Sequence, residues 1–278
     1  IINTFGFGGD HNASLLQNIS EQARGLYAFV ERADMIGETF AECLGGLVSM
    51  TAQDLKIGIE ITNSNVTINK SINDTYQTKT IKKGKSMEIS IPDMQSEEQR
   101  DLLFQLKLQK TKKAINDDVL CKFSLEYHNV IKNTKLSNVT LCSINRTPND
   151  VDVGLRDINI DKQKNRIDAA NAMDNADKLG NANKLKEARL VLQNAIKSIK
   201  NSVSKSDTFC KDLIDDLQKC HDKLKSRNDY MQYGSNMMKM NSSAHKQQRA
   251  VSSNYYAAQS AYTNCAKSTM MSKFSTKY

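Results

Sequence analysis

Residues Ile1 to Glu31 read as strand, glycine turn, helix and strand. Ile1-Ile2-Asn3-Thr4-Phe5-Gly6-Phe7 is short, apolar and bounded by glycine, as a buried strand is. Gly6, Gly8 and Gly9 allow a sharp turn. Asp10 or Asn12 stands where a helix cap belongs, and Leu15, Leu16, Ile19 and Ala23 lay one apolar stripe on the helix. Gly25 ends that helix, and Leu26-Tyr27-Ala28-Phe29-Val30 is apolar on both faces. Two strands joined through a helix run parallel, in a sheet covered on both sides. The turn is not a dinucleotide fingerprint. The third glycine of G-x-G-x-x-G would fall at His11, and no acidic residue suited to a ribose closes the second strand.

A helix from Asp34 to about Thr51 follows, with Ile36, Phe40, Leu44 and Leu47 on one face and Gly45-Gly46 inside it. Two glycines cost about 1 kcal/mol each against alanine, so they mark either close packing against the sheet or a helix end. From Gln53 the period becomes two. Leu55, Ile57, Ile59 and Ile61 alternate with polar residues, and so do Val66 and Ile68, then Tyr76, Thr78 and Thr80. Met87, Ile89 and Ile91, the run Leu102 to Leu108, the run Val119 to Tyr127, and Leu136, Val139 and Leu141 continue the series. Short strands between polar turns predict an antiparallel β-sandwich of about seven strands. Gly84-Lys85-Ser86 is not a phosphate loop, because its first glycine would be Lys79 and a strand follows.

After Pro148 the spacing turns helical. Ile160, Ile167, Ala170, Met173, Ala176 and Leu179 make one stripe, broken at Gly180-Asn181. Leu185, Ala188, Leu192, Ala195, Ile196, Ile199 and Val203 make a second, and Phe209, Leu213, Leu217, Cys220 and Leu224 a third, capped by Ser206 or Asp207. These predict antiparallel helices in a small bundle. The chain thus divides at four segments: 1–52, 53–149, 150–229, and a polar, Met-rich tail over 230–278.

Several motifs carry a family resemblance. Thr4-Phe5-Gly6-Phe7-Gly8-x-Asp10-His11, Leu15-Leu16, Ile19-Ser20 and Gly25-x-Tyr27-x-Phe29-Val30 resemble the last third of a von Willebrand factor A domain. Asp34-Met35-Ile36, Phe40 and Cys43-Leu44-Gly45-Gly46-Leu47 extend the match. Near the other end, Tyr230-x-x-Tyr233-Gly234 and Ser242-Ser243-x-His245-x-Gln247-Gln248-Arg249 resemble the close of the same proteins. In the version resembled, an intracellular A domain is followed by a β-domain and a helical tail (the Vwaint type), as in plant RING-type ubiquitin ligases and several protist and bacterial proteins. The resemblance implies an α+β chain: the C-terminal portion of an α/β A-domain fold over 1–52, then the β-sandwich, then a helical bundle with a basic tail. It also implies that the family's metal loops, D-x-S-x-S and two later ones, lie upstream of Ile1. The chain then resembles a fragment of a longer protein and holds no complete metal site.

Charge and composition narrow the function. Residues 1–149 carry 17 Lys+Arg against 17 Asp+Glu, whereas 150–278 carry 22 against 14, the whole excess of +8. From Tyr230 there are six basic residues and no acidic one. Lys and Asp nevertheless intermix over Asp207–Lys225 and aromatics interleave poorly with the bases, which argues against a nucleic-acid binder. Six scattered cysteines without a C-x-x-C pair exclude a zinc motif and imply reduced thiols in the cytoplasm. The Asn65, Asn138 and Asn145 sequons arise by chance in an Asn-rich chain, and no apolar run reaches membrane-spanning length. His11, His128, His221 and His245 have no partner at ligand or catalytic spacing, and the adjacent pairs Glu97-Glu98 and Asp215-Asp216 point apart. No catalytic, metal or cofactor residue is assigned, and no small-molecule substrate.

The expected function is a non-enzymatic protein-interaction or scaffold part of an A-domain protein. The alternatives are the substrate-recognition arm of a RING or U-box ligase whose catalytic module lies upstream, and a basic nucleic-acid binder. The tail from Tyr230 to Arg249 carries tyrosines and methionines at helical spacing that gain free energy only when buried. It is expected to pack back on the body, with His245, Gln248 and Arg249 making polar contacts to backbone. The sequence leaves the oligomeric state open.

Overall fold

A computed structural model describes residues 1–72, 75–148 and 156–275. They form two compact units. The first holds Ile1–Ser49, Glu97–Arg100 and Arg156–Tyr278, and the second Met50–Ser96 and Asp101–Leu155. The expected division at 52 lies close to the passage from Ser49 to Met50, and that at 149 falls outside the described residues. No unit boundary occurs at 229.

In the first unit, β1 (Thr4–Phe7) pairs in parallel with β2 (Tyr27–Val30), joined by α1 (Ala13–Gln22). Gly8 turns the chain with φ +64° after β1, and Asn12 caps α1 by accepting the Leu15 amide at 3.0 Å. All four residues of β2 are buried, as a parallel strand between helices requires. Helix α2 (Ile36–Val48) covers the opposite face: Phe40 stacks on Phe5 of β1 at 4.1 Å between ring centroids. On the other side Thr4 donates to the Leu16 carbonyl of α1 at 2.9 Å.

The helical part continues with α3 (Ile158–Asn181), capped by Asp157, α4 (Leu185–Lys200) and α5 (Thr208–Asp222), capped by Asp207. A short α6 (Arg227–Asp229), a π-helical turn over Tyr230–Gly234, α7 (Ser235–Gln247) and α8 (Cys265–Ser275) complete the unit. Met173, Leu192, Leu213 and Leu217 form one core with Tyr27 and Phe29 of the sheet. Tyr230, Met237, Met238 and Met240 belong to the same core, so α7 is a central element of this unit.

The expected inward stripes of α1 and α2 differ in the structure. Leu15, Ile19, Ile36, Phe40, Leu44 and Leu47 are all exposed. What α2 buries is Thr39, Ala41, Glu42, Gly45 and Gly46. The reason is the approach of α8: a Cβ on Gly45 would lie 2.6 Å from the Lys267 Cα. The glycines therefore mark close packing, against a helix and not against the sheet.

The second unit is antiparallel. β3 (Met50–Ile61), β5 (Gln77–Lys82), β6 (Ser86–Gln95), β8 (Ile115–Asn129) and β9 (Thr134–Arg146) form a five-stranded sheet ordered β5-β6-β3-β8-β9, and β4 (Val66–Ser71) pairs with β7 (Phe104–Leu108). Val66 and Ile68 of the small sheet pack with Ile59, Ile61, Leu120 and Cys121 of the large one, seven strands in two facing layers. The Lys85 ammonium is held by the carbonyls of Asn63 and Val66, at 3.2 and 2.8 Å, in a hairpin turn that offers no phosphate cradle.

Candidate functional site

The three residues singled out near the C-terminus are gathered at the end of α7. His245 is fully buried, with Nδ1 3.1 Å from the Tyr262 hydroxyl and Nε2 3.7 Å from the Asp216 carboxylate. Its carbonyl accepts from the Arg166 guanidinium at 2.6 Å. Gln248 turns into the left-handed region, φ +51°, and its carbonyl accepts from Arg100 at 2.9 Å. Arg249 grips Glu98 with two bonds of 2.7 and 2.8 Å. His245 and Gln248 take part through their backbone carbonyls as acceptors. Buried in this way, the three residues tie α7 to the elements around it within the first unit.

Sequence reasoning missed the partners Glu98, Arg100, Glu42 and Lys267. Lys267 is almost wholly buried on α8, and burial pulls its pKa down to about 8, with Glu42 and Glu98 opposing that shift. Burial likewise raises the Glu42 carboxyl above the ordinary carboxylate range, although the Ser253 amide donates to it at 3.0 Å. No periodicity announces such residues, because they are polar on a face that spacing alone assigns to solvent.

A cleft of about 220 Å³ lies where α1, α3 and α7 meet. Two of its lysines are paired: Lys239 donates to Asp177 and Lys246 to Asp174, each at 2.5 Å. Burial raises the Glu21 carboxyl there. Nucleophile, base and orienting group do not come together in it. His11 meets the Tyr27 hydroxyl at 2.6 Å, and His221 lies 3.2 Å from Arg189, its pKa lowered by burial and by that guanidinium. Among the described residues no three His, Cys, Asp or Glu side chains gather as metal ligands do. Among the described residues no helix is long and apolar enough to cross a membrane.

The feature left over is apolar and exposed. Phe40, Leu44 and Leu47, at i, i+4 and i+7, share one face of α2, and Val48 beside them is 69% exposed. Phe40 also lies over Phe7 of β1, with ring centroids 6.3 Å apart. Among the described residues β1 has a strand on one side only. A half-open parallel edge thus lies next to a partly exposed apolar helix face.

A family model described as "CPSF6-like, RSLD domain, N-terminal region" matches residues 156–255, the stretch from the start of α3 past α7. No curated protein matches the chain. Two solved structures are similar to it. One is a von Willebrand factor type A protein from Catenulispora acidiphila, with a TM-score of 0.56, 14% identity, and coverage of 76% of this chain and 50% of that one. The other is the ArnB paralog VWA2 from Sulfolobus acidocaldarius, with a TM-score of 0.46, 14% identity, and coverage of 92% of this chain and 56% of that one. The chain spans about half the length of each. With its parallel strands between helices and its separate antiparallel unit, the chain has a mixed α and β, von Willebrand factor A-like fold.

Proposed function

We propose that the chain is a non-enzymatic protein-binding part of a von Willebrand factor A-type protein, a scaffold whose first unit docks another polypeptide. The observation that carries this reading is the exposed apolar face of α2, beside the open edge of β1. The occupant it fits is a further parallel strand with its covering helix. β1 already runs parallel to β2, and parallel sheets are covered on both faces. The six free cysteines suit a reducing compartment such as the cytoplasm.

The test compares the wild-type chain with a Leu44→Lys/Leu47→Lys variant, both side chains being exposed. The two should have the same circular dichroism and melting temperature. Purified from cells, the wild type should retain a stoichiometric protein partner that the variant loses, and the partner should slow hydrogen exchange at Thr4–Phe7. The same proteins recovered with both chains, or no added protection in β1, would sink the reading.

A further inference from the structure

The five-stranded sheet of the second unit has two outer edges, and only one is guarded. β5 is only six residues long and carries Lys79 and Lys82. Short length and charge at an edge discourage further pairing. β9 is 13 residues long and pairs with β8 alone among the described residues. All of it except Cys142 and Arg146 is exposed. From Leu136 to Asn145 it holds no charge and no proline.

The register sorts its side chains. Thr140 and Cys142 stand opposite Phe123 and Cys121, on the face that carries the core. Val139 and Leu141 stand opposite Ser124 and Lys122, on the other face, and are 57% and 60% exposed. The Val139 amide donates to the Asn138 side chain at 2.7 Å. It is therefore turned away from β8, and the other odd-numbered residues of a regular strand turn the same way.

Read outward from Thr140, this strand mirrors itself. Val139 answers Leu141, Asn138 answers Cys142, Ser137 answers Ser143, and Leu136 answers Ile144. We propose that β9 is a docking edge for β9 of a second copy of this chain, antiparallel, with the two-fold axis at Thr140. The outward-facing Val139 and Leu141 of the two copies then form the hydrogen-bonded pairs of the new ladder. Thr140 faces its own copy in a non-hydrogen-bonded pair. On one face Val139 meets Leu141, on the other Leu136 meets Ile144, and all four are partly exposed in the single chain. No like charges meet, since Lys135 falls opposite Asn145 and Arg146 opposite Thr134. Self-complementarity of this kind is what a two-fold interface demands. A foreign strand has no need of it, so the second copy is the occupant the sequence fits.

Sedimentation of the full chain tests this. The expected mass is twice the 31.2 kDa of one chain. Val139→Lys/Leu141→Lys sets lysines against lysines and should give the single chain, as should Val139→Glu/Leu141→Glu. An equimolar mixture of the two variants should regain the doubled mass. A wild-type chain that sediments singly, a lysine variant that stays double, or a mixture of folded variants that stays single would each overturn the proposal. Should either variant misfold, Thr140→Cys decides the matter: under mild oxidation it should cross-link two chains, whereas Ser137→Cys, set opposite Ser143, should not. Equal cross-linking of both, or none with Thr140→Cys, overturns the register.

Discussion

Helices α2 and α5 share a sequence signature, apolar residues at steps of three and four, and bury opposite faces. α5 turns Leu213, Leu217 and Cys220 into the core. α2 turns Glu42, Thr39 and Gly45 inward and leaves Leu44 and Leu47 in the open. The difference teaches that periodicity locates a stripe but does not name what covers it. For α5 the cover is in the same unit, with α3, α4 and α7 close by. For α2, the face turned to α8 is small and polar, and the apolar face meets the sheet through Phe40 on Phe5 while Leu44 and Leu47 stay exposed.

The sharpest way to break this comparison is to truncate one leucine on each helix. Leu217 is fully buried, so Leu217→Ala should cost about 2–5 kcal/mol through lost transfer and the cavity left behind. Leu44 is 44% exposed. Leu44→Ala should stay within about 0.5 kcal/mol. Urea unfolding of both variants gives the two numbers. Equal losses would mean that the outward face of α2 is packed after all.

A smaller effect separates two glycines of α2. A Cβ at Gly45 would press to 2.6 Å on the backbone of Lys267, whereas one at Gly37 would touch Phe274 at an ordinary 3.6 Å. Gly45→Ala should therefore destabilise by about 1–3 kcal/mol. Gly37→Ala should be neutral or stabilise, by up to about 1 kcal/mol, from helix propensity. Thermal melts of the pair check the order, and a stabilising Gly45→Ala would refute the close approach of α8.

Most elements were legible in the sequence because each carries a strong local signal. The turn at Gly8, the Asn12 and Asp207 caps, the alternation over Leu55–Ile61 and the stripes of α4 and α5 all act over a few residues. What stayed hidden depends on contacts far apart in the chain. Glu98 meets Arg249, Glu42 meets the Ser253 amide, and Tyr230 donates to the carbonyl of Asp177. A buried charged pair has no period, and its residues read as solvated until the partner is seen. The same limit explains why the inward face of α2 was assigned to its apolar side. The motif points to His245, Gln248 and Arg249, but not to the Arg166 and Arg100 guanidiniums or the Glu98 carboxylate that they meet.

The last prediction concerns the charge that α2 buries in place of its leucines. Lys267 is 1% exposed and its ammonium reaches the Ala250 carbonyl at 3.2 Å. Glu42 and Glu98 favour its charged form, Arg249 and Arg100 oppose it, and burial outweighs them all, taking its pKa from 10.5 to about 8. Between about pH 8 and 10.5 the unfolded chain keeps a proton that the folded chain has lost. Folding stability contributed by this amine therefore rises with pH across that window. Below it both states are charged, and the fold carries the full cost of the buried ammonium. Buried thiols and tyrosines titrate in the same range, with Cys121 raised to about 11 by burial, and pull in the opposite direction. Lys267→Met isolates the amine: the stability of the wild type minus that of the variant should climb from pH 8 to 10.5. A difference that stays flat or falls would show that Lys267 titrates as an exposed lysine, and that the inward face of α2 is wet.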